Sequence, residues 1–442
     1  MSDPLTSTKN PSDGRVGPLT EPERRALLDA PRPKRSLPVA PKAPSAKRHL
    51  PLLAPRAKDQ RYRPLYAVWE ITLACDLACR HCGSRAGRAR EGELSTEECL
   101  DVVHQMANLG VTEVSIIGGE AYLRDDWTTI VREIRNCGML ANMTSGGRGI
   151  TPERAQAAAE AGLQNVSISV DGLQETHDRL RGVNGSWKAA FDAIKNLRAA
   201  GVPVGSNTQI NRLSMPEVPA LFELLADAGI RGWQIQLTVA MGRAVDEPEV
   251  LLQPYDLLEL YPMLSNLKDR CDERGVVLWP GNNIGYFGPY EHKFRGTLPK
   301  GHMGSCGAGR VTLGIEADGT IKGCPSLPTA KWAGGNIRDN SLREVWQQAE
   351  PLRYTRDRTK ADLWGYCAEC YYADECRAGC TWTSSVFFGR PGNNPYCHHR
   401  ALEMDRVGMR ERVVRVDDAP GLPFDEGRFE LVVEPRPEEP SK

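Results

Sequence analysis

The chain has 442 residues, with 56 Lys and Arg against 57 Asp and Glu, and 40% of its residues are hydrophobic. This length allows two or three domains, and the balanced charge argues against a nucleic-acid-binding protein. No apolar run reaches the roughly 18–20 residues that cross a bilayer, and the N-terminus lacks a signal-peptide pattern, so we expect a cytoplasmic protein without membrane contact. The 13 cysteines are unusual, and in a long chain of this kind they indicate metal or cluster ligands rather than disulfides.

The first 62 residues are rich in Pro, Lys and Arg, as in the run Pro31–Arg35. Proline removes backbone donors, and little apolar surface is available to bury. Residues 1–62 are therefore predicted to form a disordered basic arm. A docking arm for an acidic partner is the functional alternative.

Short β-rich runs alternate with amphipathic helical stretches between residues 63 and 240. The six runs are 65–73, 113–118, 140–144, 165–170, 202–210 and 233–239. This alternation predicts βαβ units in a parallel sheet, either an incomplete barrel or an open doubly wound sheet. In both architectures the functional residues lie at the C-terminal ends of the strands.

The rest of the chain divides into three further regions. A bridging region, 241–300, contains one predicted helix over 256–275 and an aromatic stretch, Trp279–Phe294. That stretch fits either a peptide-binding groove or a bridge whose aromatic rings pack against the barrel. Residues 301–400 are dense in cysteine, and residues 401–442 are predicted to form an acidic tail that is flexible from about residue 417.

Three cysteines follow the first predicted strand directly, at Cys75, Cys79 and Cys82. Three thiolates can ligate three irons of a [4Fe-4S] cube and leave the fourth iron open to a chelating ligand. A zinc site is the alternative, although structural zinc prefers four protein ligands and only His81 is available nearby.

Polar residues follow two other predicted strands at the same end of the sheet. Gly118-Gly119-Glu120 ends the second strand, where glycines admit a ligand to the backbone and the glutamate can accept hydrogen bonds from an ammonium group. Ser169 ends the fourth strand, and Arg181 lies in the helix that follows. Both could bind a carboxylate, or they could be an ordinary strand-end serine and a surface arginine.

In combination, these motifs resemble the radical S-adenosylmethionine (SAM) superfamily over about residues 65–240. The resemblance implies a partial (β/α)6 TIM-like barrel with a [4Fe-4S] cluster on the three cysteines, which are then the catalytic ligands. SAM chelates the open iron and is cleaved to a 5′-deoxyadenosyl radical. The resemblance also implies which residues contact SAM. Gly118, Gly119 and Glu120 would lie at its amino group, and Ser169 and Arg181 at its carboxylate or ribose. The Leu237 backbone would lie at the adenine, and His81 occupies a position that is often aromatic in the family.

Seven further cysteines are spaced as C-x12-G-x4-C, then C-x2-C-x5-C-x3-C, then a final C. They are Cys306, Cys324, Cys367, Cys370, Cys376, Cys380 and Cys397. This order resembles the SPASM domain, a cysteine-rich α+β extension of radical SAM enzymes that modify peptides and proteins. A zinc-ribbon-like fold is the alternative.

The SPASM resemblance implies two auxiliary iron–sulfur clusters of the [4Fe-4S] type. The nearer one would be held by Cys306, Cys324 and Cys380, and the farther one by the other four cysteines. An eighth family cysteine, near position 300, is absent. The nearer cluster is thus left with an open iron, a ligand such as His302, or a smaller cluster type. Cys99, Cys137 and Cys271 lie in predicted helices and are interpreted as structural thiols.

Auxiliary clusters can accept an electron from a substrate radical. The resemblance therefore implies oxidative cross-linking or dehydrogenation of a ribosomally made peptide or protein. A tetrapyrrole or cofactor side chain is the alternative substrate, and formylglycine formation is a third. The third is weakened because Pro325-Ser326 follows Cys324, where sulfatase maturases carry an aspartate. Expected partners are a precursor peptide, an electron donor such as flavodoxin or ferredoxin, and a separate leader-recognition protein.

Overall fold

A computed structural model describes residues 19–30 and 52–437. Its main feature is one ten-stranded sheet, and a two-stranded sheet lies near the C-terminus. The strands are β1 Tyr66–Glu70, β2 Glu113–Ile117, β3 Leu140–Ser145, β4 Asn165–Ser169, β5 Val204–Ile210, β6 Gly232–Leu237, β7 Val277–Pro280, β8 Thr312–Ile315, β9 Thr320–Lys322, β10 Ala333–Asn336, β11 Met409–Asp417 and β12 Arg428–Pro435.

Sixteen α-helices accompany these strands in the described residues. They are α1 Glu21–Asp29, α2 Thr96–Leu109, α3 Trp127–Asn136, α4 Pro152–Ala161, α5 Gln174–Arg181, α6 Ser186–Ala199, α7 Val218–Asp227, α8 Leu257–Glu273, α9 Glu291–Arg295, α10 Thr329–Trp332, α11 Leu342–Gln348, α12 Glu350–Asp357, α13 Tyr366–Glu369, α14 Ala373–Cys376, α15 Thr381–Phe388 and α16 His398–Arg406. None of these helices has the length and apolar character to cross a membrane.

The large sheet has the strand order β10-β9-β8-β1-β2-β3-β4-β5-β6-β7. Strands β1 to β7 pair in parallel along this order, and β8 pairs in parallel with β1. Strand β9 pairs antiparallel with β8, and β10 pairs antiparallel with β9. All six predicted strands are present, and the partial-barrel prediction is confirmed. The sequence interpretation missed β7, which begins four residues after the end of α8.

The barrel strands are apolar on their outer side and polar on their inner side. Outward residues such as Trp69, Ile116 and Ile168 are fully buried in the core beneath the helices. The alternating residues face the barrel interior, and most of them are half-buried. This period-2 pattern is unusual for parallel strands, which are commonly buried on both faces, and it marks an interior open to solvent.

The N-terminal region is more ordered than predicted. Helix α1 packs Leu19 and Leu28 against Leu180, Leu213 and Val250. Its position is fixed by tertiary contacts that local composition does not show. The disorder predicted for residues 1–62 is therefore wrong for 19–30 and for 52–62, while residues 1–18 and 31–51 lie outside the described residues.

A buried carboxylate anchors the second ordered part of this region. Asp59 has no exposed surface, and its oxygens lie 3.0 Å from Arg353 Nε and 3.2 Å from Arg356 Nη1. Because an unpaired buried charge is costly, this pairing fixes residues 57–61 against α12.

The predicted acidic tail is a folded hairpin, β11–β12, preceded by α16. Its strands are rich in charged residues because these form cross-strand ion pairs, such as Arg410 Nε to Glu434 Oε1 at 2.7 Å. In the sequence alone, the same residues resemble a charged tail. Residues 438–442 of the predicted tail lie outside the described residues.

The residues between these two strands include a C-terminal turn, 424–426, that reaches back to the barrel. Asp425 Oδ1 lies 2.8 Å from Arg85 Nε, just after the first cysteine motif. The Phe424 ring lies 3.9 Å from Lys322 Nζ on β9, and Glu426 pairs with Lys331. The C-terminal turn thus joins the barrel to the cysteine-rich region.

Candidate functional site

The loop with the first three cysteines begins where β1 ends, at the C-terminal edge of the sheet. Two backbone hydrogen bonds anchor this loop to α5. The Ala78 amide donates to the Arg181 carbonyl at 3.1 Å, and the Arg80 amide donates to the Leu180 carbonyl at 2.7 Å. Cys79 is buried, and Cys75 and Cys82 are half-buried. The structure therefore gathers the three predicted ligands on one anchored loop.

Burial and nearby charged groups act on the ionisation of these thiols in opposite directions. Burial raises the pKa of Cys75, and Glu120 raises it further. Burial also opposes ionisation of Cys82, but the Arg243 guanidinium and the Ser84 hydroxyl lower the pKa of that thiol below its ordinary value. Cys79 and Cys82 add to the raised pKa of Cys75, Cys82 adds to that of Cys79, and all three cysteines are free of disulfides. This donor set fits an iron–sulfur cube with one open iron.

The two glycines after β2 are required by close packing against β1. A Cβ on Gly118 would lie 2.5 Å from the Thr72 carbonyl oxygen, and a Cβ on Gly119 would lie 2.3 Å from that of Ala74. Their lack of a side chain lets the β2 end pass directly beside the cysteine loop.

Glu120 lies beside Cys75 and is almost fully buried. Its carboxylate accepts hydrogen bonds from Ser145 Oγ and the Gly146 amide, both at 2.6 Å. Burial raises the pKa of this carboxyl to about 7. A carboxylate this poorly solvated favours a cationic partner, which fits the ammonium group predicted for it.

His81 and Arg181 share one buried carboxylate, Asp171, which the sequence interpretation did not assign. Asp171 Oδ2 lies 2.9 Å from His81 Nε2 and 2.6 Å from Arg181 Nη2. Although burial opposes ionisation, Arg181 and His81 hold the pKa of Asp171 below its ordinary value. Arg181 Nη1 also lies 3.7 Å from Cys79 Sγ. The only sequence signal for Asp171 was an acidic residue directly after a strand.

Two other predicted SAM contacts have different surroundings. Ser169 ends β4 and is buried, one residue from the strand–helix loop that carries Asp171. The Leu237 backbone is engaged by Asn283, whose Oδ1 accepts the Leu237 N–H at 3.2 Å and whose Nδ2 donates to the Leu237 carbonyl at 2.9 Å. Leu237 therefore has no free N–H for an adenine.

The other seven ligand candidates form a group of three and a group of four. Burial raises the pKa of Cys324 to about 12 and that of Cys380 to about 11, with a further contribution from Cys306 in each case. We call Cys306, Cys324 and Cys380 the nearer set. The farther set lines one cavity and comprises Cys367, Cys370, Cys376 and Cys397. This grouping is the one that the family pattern implies.

His302, which the resemblance offered as a ligand for the nearer set, is engaged by its neighbours. Its ring packs on Phe287 with centroids 4.9 Å apart, and Phe287 lines the cavity of the farther set. Its Nδ1 lies 2.9 Å from the Met303 carbonyl oxygen.

Two further predictions concern the structural thiols and the aromatic stretch. Cys99 and Cys271 are buried in α2 and α8, as structural thiols would be, and Cys137 ends α3 beside Glu133. In the aromatic stretch, Tyr286 and Phe294 are buried, whereas Trp279 is 59% exposed. This burial favours the packed bridge over an open groove.

Comparison with known proteins agrees with this architecture. The Radical SAM superfamily model matches residues 69–234, and the SPASM iron–sulfur cluster-binding domain model matches residues 306–371. The chain is 32% identical over 354 residues to the mycofactocin maturase MftC of Mycolicibacterium smegmatis, covering 78% of this chain and 86% of that protein. It is 29% identical over 348 residues to the AdoMet-dependent heme synthase of Methanosarcina barkeri, covering 76% and 97%.

A solved structure shares the fold. The crystal structure of Streptococcus suis SuiB bound to S-adenosylmethionine superposes with a TM-score of 0.58 at 18% identity, covering 73% of this chain and 74% of that chain. Fold, cysteine loop and family models together define an iron–sulfur enzyme that uses SAM. The chain belongs to the radical SAM superfamily and carries a SPASM domain. Such an enzyme binds a [4Fe-4S] cluster and SAM in the barrel and auxiliary iron–sulfur clusters in the SPASM domain.

Proposed function

We propose that this enzyme oxidatively modifies a ribosomally made peptide or protein, by cross-linking or dehydrogenation. When bound, the SAM cluster supplies a 5′-deoxyadenosyl radical that can remove hydrogen from an unactivated carbon. The task of the protein is to bind and orient both reactants and to exclude water. The similarity to the maturase MftC supports this substrate class, whereas the similarity to heme synthases supports a tetrapyrrole.

The side chains on the inner face of the barrel favour the peptide over the tetrapyrrole. Its polar positions are mostly amides and hydroxyls: Ser115, Asn142, Thr144, Asn165, Ser167, Ser169, Asn207, Gln209, Gln234 and Gln236. Neither Lys nor Arg occupies an inward position of β1 to β6. Amides pair with peptide N–H and C=O groups, whereas the several carboxylates of a tetrapyrrole call for arginine or lysine.

The chain's own residues have the following proposed roles. Cys75, Cys79 and Cys82 hold the SAM cluster, with Gly118, Gly119 and Glu120 at the SAM amino group. Asp171 orients Arg181 and His81 beside that cluster, and Ser169 and Arg181 contact the SAM carboxylate or ribose. The nearer and farther sets hold the auxiliary clusters. The proposed domains are a barrel over 63–240, a bridge over 241–300 and a SPASM domain over 301–400.

The proposed partners follow from this chemistry. Each turnover needs one electron to start, which a flavodoxin or ferredoxin can supply. A separate leader-recognition protein would present the peptide. Free thiols and iron–sulfur ligands suit a reducing compartment such as the cytoplasm.

Co-expression with a candidate precursor peptide, followed by mass spectrometry, tests the proposal. We expect loss of two hydrogen atoms from the peptide and formation of 5′-deoxyadenosine from SAM. The matched control is the full-length variant Cys75→Ala/Cys79→Ala/Cys82→Ala, in which both products should disappear. Decarboxylation of an iron porphyrin, with no peptide changed, would assign the tetrapyrrole reaction instead.

A further inference from the structure

Tyr286 lies in the linker between β7 and α9 and separates the two SPASM cysteine sets. Its side chain is 2% exposed, so it is as buried as a core residue. It ends in a hydroxyl, which needs a hydrogen-bond partner when it is buried. That hydroxyl donates to the Asn282 carbonyl oxygen and accepts the backbone N–H of Cys380 at 3.0 Å. Tyr286 is thereby fixed to a member of the nearer set.

The same residue also contacts the farther set. Tyr286 lines the cavity that the four cysteines of that set surround. Its carbonyl oxygen lies 3.7 Å from Cys397 Sγ. A Cβ on Gly379 would lie 2.5 Å from Tyr286 Cζ, so the ring packs directly on the backbone between Cys376 and Cys380. Tyr286 therefore contacts the nearer set through its hydroxyl and the farther set through its carbonyl oxygen, and its ring packs on the backbone that joins Cys376 of one set to Cys380 of the other.

The backbone on both sides of this contact is strained. Tyr286 has a φ of 114° and Phe287 one of 55°, and across the contact Arg377 and Ala378 have values of 50° and 60°. Side chains larger than glycine rarely adopt this region, so each such residue stores backbone strain. Four of the six positive-φ residues other than glycine in the described chain lie here. Strain of this kind persists where the surrounding structure requires a particular geometry.

We infer that Tyr286 is a positioning residue that couples the two auxiliary centres, holding the Cys380 ligand of one at a fixed place relative to the Cys397 ligand of the other. The inference rests on the proposed assignment of the auxiliary clusters and is independent of the identity of the substrate. A change in this single side chain should therefore alter both centres at once.

The test compares Tyr286→Phe with Tyr396→Phe in full-length, anaerobically reconstituted protein that also carries Cys75→Ala/Cys79→Ala/Cys82→Ala. Tyr396 is an equally buried tyrosine whose hydroxyl donates to the Leu252 carbonyl oxygen at 2.5 Å. In this background the remaining iron–sulfur signals come from the auxiliary centres. The readouts are iron content, electron paramagnetic resonance spectra and reduction potentials.

We expect Tyr286→Phe to shift the spectra and reduction potentials of both auxiliary centres, while Tyr396→Phe matches the parent. Loss of iron from both centres in Tyr286→Phe alone would support the inference equally. Gly379→Ala, which displaces the ring from the opposite side, should reproduce the effect. Unchanged spectra and potentials, or a change confined to one centre, would overturn the inference. Absence of auxiliary iron in the parent would overturn the cluster assignment itself, whatever the outcome of the peptide experiment.

Discussion

At the residue scale, Asn207 shows how the barrel is prepared for a ligand. Its side chain is half-buried on the inner face of β5, and its Oδ1 has no hydrogen-bond partner in the described part of the chain. Buried polar atoms are nearly always paired in folded proteins. We therefore expect the substrate to donate a hydrogen bond to this amide oxygen.

Replacement of this amide should weaken substrate binding and leave the cofactor chemistry intact. We expect Asn207→Leu to raise the KM for the peptide by about tenfold, which corresponds to the roughly 1.4 kcal/mol of one lost hydrogen bond. Formation of 5′-deoxyadenosine without peptide should stay at the parent level. Gln156→Leu, on the exposed surface of α4, is the matched control. An unchanged KM would remove Asn207 from the substrate site.

At the scale of single elements, α1 contributes to the site without touching it. Besides its leucine contacts, Arg24 pairs with Glu217, and Arg179 of α5 donates to the Leu27 carbonyl oxygen at 2.8 Å. Helix α5 in turn supplies Arg181 and the two carbonyls that hold the cysteine loop. Docking of α1 therefore stabilises the support of the iron ligands.

Undocking of α1 should loosen the cysteine loop. We expect Leu28→Asp to increase hydrogen exchange at the Ala78 and Arg80 amides and to weaken SAM binding, because a charge replaces a buried apolar side chain. Leu27→Asp is the control, since Leu27 packs only at the edge of this cluster. Unaltered exchange at both amides would show that α5 holds the loop unaided.

The start of α8 predicts a pH dependence of stability. Burial raises the pKa of Asp256 to about 7, although Arg212 acts in the opposite direction. The folded protein therefore binds this proton more tightly than the unfolded chain does between about pH 4 and pH 7. The resulting stabilisation is complete below this window and is lost as the pH rises through about 7.

Replacement by asparagine should abolish this dependence. Asp256→Asn keeps an oxygen that can accept the Gln253 amide at 2.8 Å, as the carboxylate does. We expect the Tm of the parent to fall relative to that of the variant between about pH 5 and about pH 8, by an amount equivalent to roughly 2–3 kcal/mol. Parallel Tm curves would contradict the buried, protonated state of this carboxyl.

At the scale of the whole molecule, the C-terminal turn joins regions that are distant in sequence. Asp425 meets Arg85 beside the cysteine loop, and Phe424 and Glu426 meet the lysines of the SPASM region. Arg85 and Phe424 are the other two positive-φ residues besides glycine in the described chain. The positive-φ residues other than glycine in the described chain therefore lie at two contacts. One is the contact of the C-terminal turn with the barrel and the SPASM region, and the other is the contact of Tyr286.

Loss of the contact between Asp425 and Arg85 should separate the unfolding of the barrel from that of the SPASM region. We expect Asp425→Ala to broaden or split the calorimetric unfolding transition, because it leaves the largely buried Arg85 with one carboxylate fewer. Asp417→Ala removes an exposed ion pair with Arg428 in the same hairpin and should have almost no effect. One sharp transition in Asp425→Ala would show that the two regions are joined elsewhere.

The sequence predicted what depends on local spacing and failed where distant residues meet. The cysteine motifs, the six barrel strands and α8 all follow from short patterns. The roles of Asp171, Tyr286 and Asp425 do not follow from their local sequence, because each role is defined by partners that only the fold brings near. The same reason explains why a charged hairpin and the docked helix α1 resembled disordered ends.

The long separation of Arg85 from Asp425, 340 positions along the chain, also bears on biogenesis. Ribosomes add about 5–20 residues per second, so roughly 20–70 s pass between synthesis of Arg85 and synthesis of Asp425. During that interval the nascent cysteine loop can dock on α5, but it lacks the ion pair that ties it to the C-terminal turn.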